Sequence, residues 1–300
     1  MDFPACKTIL MTCLAILITA SLAACSTPLL TPAIPTPTLT ATVTSILPTP
    51  TQTATATPQG CQEQKGTISV TSVPSKLLKG SIELRVYTPP CYADISPTRY
   101  SVLYMLHGQT YDDQQWQLLG LTDAADNLIA TKQIAPLIIV MPNEAASMSD
   151  ANTSAFGDAL VNEVIPWVDQ HYAACEERTC RAIGGLSRGG NWAVHLGLSH
   201  PELFAAIGAH STPLFYGDLT LTGMWIKKMS ATTPLPMIYI DFGKSDEDKG
   251  NMLQFEKELN DLGVAHQMIQ FTGDHDAEYW SAHVDDYLRW YSASLAAPQE

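Results

Sequence analysis

Positive charge is scarce in this chain: 16 Lys and Arg stand against 30 Asp and Glu, a formal net charge of −14. A nucleic-acid binder needs clustered cations to neutralise phosphates, so that class of partner is excluded. Long apolar runs are missing beyond the first two dozen residues, and with them any later segment able to span a bilayer as a helix. Charge of either sign is absent from 26 to 60, where Thr and Pro alternate instead (Thr36-Pro37, Pro48-Thr49-Pro50-Thr51, Thr57-Pro58). Such a stretch builds no core, and proline biases it toward extended polyproline II. Hydrophobic residues nevertheless make up 46% of the chain, enough for the remainder to bury a sizeable core.

The N-terminus carries an export signal. Lys7 precedes an apolar run over 9–18 that is too short for a comfortable transmembrane helix. The run leads to Leu22-Ala23-Ala24-Cys25, which resembles the lipobox of bacterial lipoproteins. Residues 1–24 are therefore read as a lipoprotein signal peptide and Cys25 as the lipidated first residue of the mature chain. Residues 25–60 are read as a stalk reaching at most ~100 Å at ~3.1 Å per residue. Residues 61–300 form the folded domain, a monomer held by its lipid to the outer face of a bacterial membrane.

Cysteine usage agrees with export. Cys6 and Cys13 leave with the signal peptide and Cys25 carries the lipid, so Cys61, Cys91, Cys175 and Cys180 remain for an oxidising compartment. Sequence separation favours the pairs Cys61–Cys91 and Cys175–Cys180. The competing reading is a metal site of His171, Cys175 and Cys180; no metal or organic cofactor is expected.

Within the domain, alternating stretches over 67–73 and 81–88 predict an opening antiparallel strand pair. Apolar runs over 100–106, 136–141, 181–185, 205–209, 236–241 and 265–271 follow, separated by helical periods. In one of these Met252, Phe255, Leu259 and Leu262 share a face, with Gly263 placed to end the helix. In another, Leu160, Val161, Val164, Ile165 and Val168 do so, with Pro166 as a kink. Strands alternating with helices mean an α/β fold: a mostly parallel central sheet with helices on both faces. Ligands bind such sheets beyond the carboxyl ends of the strands.

One strand end reads Gly185-Leu186-Ser187-Arg188-Gly189, with a helix expected over 191–199. Gly-x-Ser-x-Gly between a strand and a helix is the setting of a nucleophile elbow. Glycines flank the serine because larger side chains would collide in so tight a turn. Ser187 is thus the candidate nucleophile, and the Arg188 N–H, at a helix N-terminus, faces a developing oxyanion. A second strand ends in His107-Gly108-Gln109, where the Gln109 N–H completes the oxyanion hole. His107 itself is read as a buried histidine bonded to backbone.

In this fold the acid and then the histidine follow the nucleophile. His195 and His283 fall on helices, His200 precedes Pro201, His266 opens a strand, and His210 comes before any acid. His275 alone follows both an acid and a strand's carboxyl end, which makes it the candidate base. Asp246, just past the strand over 236–241, has the loop position needed to orient it; Asp241 reads as a strand-end residue with a structural hydrogen bond, and Glu247 and Asp248 are outside alternatives. Trp116 and Trp225 are candidates to line the substrate site.

With these residues the chain resembles the esterase family that includes esterase D, feruloyl esterase modules and the antigen 85 mycolyltransferases. The likeness covers about 80–291. It rests on the stretch over 102–108, Asn162-Glu163-Val164-Ile165-Pro166-Trp167-Val168, the elbow with Pro201-Glu202-Leu203-Phe204, and Gly273-Asp274-His275 with Trp280 behind. The resemblance implies an α/β-hydrolase fold without a large cap, acting on small-molecule or polysaccharide-linked acyl esters through Ser187, Asp246 and His275. Asp274 stands where many relatives have a small residue, and could compete with Asp246 for His275. The alternatives are an acyltransferase of the mycolyltransferase type and a non-catalytic binding protein on a hydrolase frame.

Overall fold

The computed structural model of the chain describes residues 62–92, 99–229 and 233–296. The signal peptide over 1–24, Cys25, the stalk over 25–60 and Cys61 lie outside the described residues.

Eight strands form one sheet in the order β1-β2-β4-β3-β5-β6-β7-β8. β1 (Thr67–Ser75) and β2 (Gly80–Thr88) are the expected antiparallel pair, and β2 also runs antiparallel to β4 (Leu137–Pro142). Around β4 the sheet turns parallel through β3 (Ser101–Leu106), β5 (Arg181–Leu186), β6 (Ala206–His210), β7 (Met237–Gly243) and β8 (Gln267–Phe271). Every residue of β3, β4, β5 and β6 is buried, which is why these strands read as largely apolar runs, with Arg181 and His210 at the ends of β5 and β6, rather than as alternations.

The connections hold α1 (Gln115–Leu118), α2 (Leu121–Ala130), α3 (Phe156–Ala159), α4 (Ile165–His171), α5 (Arg188–Ser199), α6 (Asp218–Lys228), α7 (Lys249–Asp261) and α8 (Ala277–Ser294). Side chains alternate across the sheet with the period of two that pleating imposes. Val102, Tyr104 and Leu106 of β3 join one core with Val168 of α4, Trp192 of α5 and Phe255 of α7. Leu103 and Met105 join a second core with Leu121 and Leu128 of α2 and Tyr287 and Leu288 of α8. Helices thus cover both faces, as an α/β-hydrolase sheet requires. The connection over 143–180 holds only a bent helix and two short 3-10 turns, which leaves no room there for a large cap.

Local signals account for the details. Met252, Phe255 and Leu259 are the buried face of α7, and Gly263 follows it at φ 68°, a left-handed conformation that suits glycine. The bend expected at Pro166 takes the form of a π-helical turn over Leu160–Val164 leading into α4. Proline has no N–H to give and its ring crowds the carbonyl one turn back, so the preceding ladder widens.

Cys175 and Cys180 are joined by a disulfide with Cα atoms 5.8 Å apart. Their sulfurs are spent on each other, and His171 Nδ1 donates to the Trp167 carbonyl at 2.7 Å, so the three do not form the alternative metal site. Cys91 is disulfide-bonded as well; its expected partner, Cys61, lies outside the described residues. Among the described residues no helix is long and apolar enough to cross a membrane.

Candidate active site

β5 passes into α5 through a single residue, Ser187, at φ 49° and ψ −120°. A residue with a Cβ in such a conformation carries about 1–3 kcal/mol of strain and persists only where its surroundings dictate it. Here they do: the Ser187 N–H donates to the His210 carbonyl at 2.9 Å, and the Ser187 carbonyl accepts from Asn191 N–H at 3.1 Å. Both flanking glycines are steric necessities. A Cβ on Gly185 would overlap the Gly189 backbone, and one on Gly189 would overlap the Leu106 carbonyl. The first N–H groups of α5, that of Arg188 among them, have no acceptor within the helix and carry its positive pole.

His275 lies between β8 and α8. Its Nδ1 is 3.2 Å from both carboxylate oxygens of Asp246, a fully buried residue in the loop after β7. Burial works to raise the Asp246 pKa. The hydrogen bonds from His275 and from the Asp248 N–H, the latter at 2.8 Å, prevail and hold the carboxyl below its usual range. On His275, burial works to lower the pKa, but the hydrogen bond and charge of Asp246, with Asp248 and Glu247 behind, raise it above the ordinary histidine value. The indole of Trp280 meets the imidazole edge to face at 5.1 Å and steadies the ring.

The rival acids separate cleanly. Asp241 is buried elsewhere, accepting from His210 Nδ1 at 2.6 Å, Tyr279 Oη at 2.7 Å and Tyr287 Oη at 2.8 Å. Burial, and then Asp241 itself, push both tyrosine pKa values far up, so the hydroxyls remain donors. This is the structural hydrogen bonding expected of a strand-end Asp241, and it also accounts for His210. Asp274 is exposed and Asp248 stands 3.9 Å from His275 Nδ1. Asp246, Asp248 and His275 are also the described residues whose ligand atoms cluster within 4.8 Å and could hold a metal, although Nδ1 of His275 already faces Asp246.

The loop after β3 is well tied. The Gly108 N–H donates to the buried Gln115 Oε1 at 2.7 Å, and His107 is buried with both ring nitrogens bonded to backbone, as its sequence setting predicts. Gln109 is exposed, with its side-chain amide 3.4 Å from Met148 Sδ. Ser187 and His275 share a cleft of about 400 Å³ with Gly108, Gln109, Tyr111 and Trp280. An adjoining hollow of about 320 Å³ joins Ser187, Gln109 and Arg188 to Leu214, Phe215 and Tyr216.

A family described as "Putative esterase" matches residues 75–291. The chain belongs to this esterase family. An endo-1,4-beta-xylanase/feruloyl esterase of Xylanibacter ruminicola is 32% identical over 133 residues, 41% of this chain and 18% of that protein. An acetyl esterase of Caldicellulosiruptor saccharolyticus is 21% identical over 237 residues, 66% of this chain and 86% of that protein. The chain spans less than a third of the length of the first curated relatives it matches. Among solved structures a ferulic acid esterase superposes with a TM-score of 0.66 at 22% identity, covering 77% of this chain and 99% of its own; that likeness establishes the α/β-hydrolase fold.

Two sequence expectations for this esterase family member need correction. Trp116 is buried to 1% exposure, its indole N–H donating inward to the Leu106 carbonyl at 2.9 Å and its ring packed edge-on against Tyr287. It is core, not substrate surface. Trp225, on α6, packs on His195 at 5.1 Å and lines a separate hollow with Leu198, His200 and Lys228. The apolar walls beside Ser187 come instead from Tyr111, Trp280, Phe215 and Tyr216, and the sequence carries no periodic signal for the loop residues among them. Glu144, a further buried neighbour of the elbow, follows a strand's carboxyl end and so lay where that rule says to look.

Proposed function

We propose that the chain is a serine esterase cleaving carboxylic esters in two steps through an acyl-enzyme on Ser187. The observation that carries the reading is His275 Nδ1 set 3.2 Å from both oxygens of the buried Asp246 while His275 and Ser187 line one cleft. Asp246 holds the Nδ1–H tautomer, which leaves Nε2 to take the Ser187 proton as Oγ attacks the carbonyl carbon. The N–H groups of Arg188 and Gln109 take the charge that develops on the carbonyl oxygen. His275 returns the proton to the leaving alcohol, and water then splits the acyl-enzyme by the reverse sequence.

The substrates are small-molecule or polysaccharide-linked acyl esters. Tyr111 and Tyr216, exposed at 56% and 95%, offer flat faces on which a sugar or aryl group can rest beside Ser187. Asp248 and Asp276 line the same hollows and disfavour anionic esters. Turnover of acetyl, feruloyl, aryl and thioester substrates is the direct test. Saturable hydrolysis of a neutral ester that vanishes in Ser187→Ala supports the reading, and inertness toward the whole panel contradicts it.

The pH profile should carry the signature of this histidine. His275 acts as a base only when deprotonated, and its pKa is raised, so kcat/KM should climb through a limb above the ordinary histidine value of about 6.5. Asp246→Asn removes the chief raising influence; the limb should move to lower pH while kcat falls on the order of 10⁴-fold. Asp241→Asn should leave the limb in place and lower the melting temperature instead, because an amide NH2 would replace one of the two oxygens that three buried donors share. A limb that moves with Asp241 and ignores Asp246 would reassign the acid.

The N-terminal reading is part of the proposal: export, cleavage before Cys25, and lipid anchoring to the outer face of a bacterial membrane. Cys25→Ser should release the protein into the soluble fraction. A mutant that still pellets with membranes would argue for an uncleaved anchor.

A further inference from the structure

Glu144 is buried just past the carboxyl end of β4, yet no step above uses it. Its carboxylate accepts from Arg188 Nε at 2.8 Å, from Arg188 Nη2 at 2.6 Å and from Trp192 Nε1 at 2.9 Å. Arg188 supplies the first N–H of α5 beside Ser187, so this bidentate fork holds the opening turn of the helix from one side. A buried ion pair is a poor way to gain stability, since desolvating two charges costs about what their attraction returns. Its position, not its strength, is informative.

The main chain of the same residue reaches the other half of the site. The Glu144 N–H donates to His107 Nε2 at 2.8 Å, and His107 Nδ1 donates in turn to the Gly108 carbonyl at 2.8 Å. For Nε2 to accept, the ring must be neutral with its proton on Nδ1; burial pushes the imidazole pKa down and keeps it so. Planarity completes the connection. The Gly108 carbonyl and the Gln109 N–H share one trans peptide plane and point in opposite directions. With the carbonyl held by His107, and by the Tyr111 N–H at 3.3 Å, the direction of the Gln109 N–H is set.

We propose that Glu144 is a positioning residue that locks the two oxyanion donors to each other, its side chain fixing Arg188 and its main chain fixing the Gly108–Gln109 peptide through His107. The proposal rests on the esterase reading. It predicts that the residue matters to transition-state binding and little to ground-state binding, although it touches no substrate.

The test compares wild type, Glu144→Gln, Arg188→Met and the double variant for kcat, KM, melting temperature and affinity for a trifluoromethyl ketone, whose serine adduct carries the oxyanion. Each single variant should lose about 10²-fold in kcat, as removal of one oxyanion donor does, with ketone affinity falling in step with kcat/KM. KM should change by less than about threefold, since uniform binding is untouched. Each single change also strands a buried partner, so both should melt earlier; the double variant should regain stability but neither kcat nor ketone affinity. Recovery of kcat together with melting temperature would overturn the proposal, because Glu144 would then serve packing alone. So would a Glu144→Gln enzyme within twofold of wild type in kcat and ketone affinity. Wild-type protein with no Ser187-dependent turnover would overturn the esterase reading, and this proposal with it.

Discussion

Replacing Ser187 by Ala should lower kcat on the order of 10⁴- to 10⁶-fold while leaving the fold in place. The turn does not depend on Oγ. It is set by the Ser187 N–H to the His210 carbonyl, by Asn191 N–H to the Ser187 carbonyl, and by the contact that only glycine permits at Gly185 and Gly189. Alanine meets the same backbone demand as serine, so the melting temperature should stay near that of wild type. His275→Ala should match the loss, and the double variant should be no worse than either, because nucleophile and base act as one unit. A Ser187→Ala enzyme within tenfold of wild type, at equal folded concentration, would remove Ser187 from the reaction.

The second large effect is expected at Gly189, which touches no substrate. A Cβ there would overlap the Leu106 carbonyl oxygen and crowd the carbonyl of His107, and neither group can move, since both belong to the end of buried β3 and the loop that carries Gln109. Gly189→Ala must push α5 away from β3. The strain should cost about 1–3 kcal/mol or more, seen as a lower melting temperature. Displacement of Ser187 and of the Arg188 N–H relative to Gln109 should cost activity as well, roughly 10²-fold for a shift near 1 Å. Measured together, kcat and melting temperature should both fall; an alanine variant unchanged in both would mean that the elbow is looser than the structure has it.

The strands were legible because burial on both faces leaves an apolar run that polar turns interrupt. The elbow was legible because a tight strand-to-helix turn tolerates so few residues around Ser187, and the pairing of His275 with Asp246 because chain order and strand ends leave few places for such a pair. Side-chain direction was not legible in the same way. Trp116 follows the loop that carries Gln109, where an aromatic ring could equally face the cleft or the core, and its indole N–H settles on the Leu106 carbonyl inside. Tyr216 and Phe215 lie on the loop after β6, where no period ties exposure to sequence position. Glu144 was hidden for another reason: its meaning comes from Arg188 and His107, residues far from it in the chain.

The central claim, an activated Ser187 served by His275, is tested most directly by covalent capture. A fluorophosphonate probe phosphonylates a serine only when a neighbouring base makes it nucleophilic, and the adduct survives peptide mapping. Incubated with the folded protein, the probe should give one adduct per chain, on the peptide that contains Ser187. It should give none with Ser187→Ala, and labelling of His275→Ala should be slowed by orders of magnitude. Labelling at another serine, or a wild-type protein that stays unmodified while folded, would contradict the account.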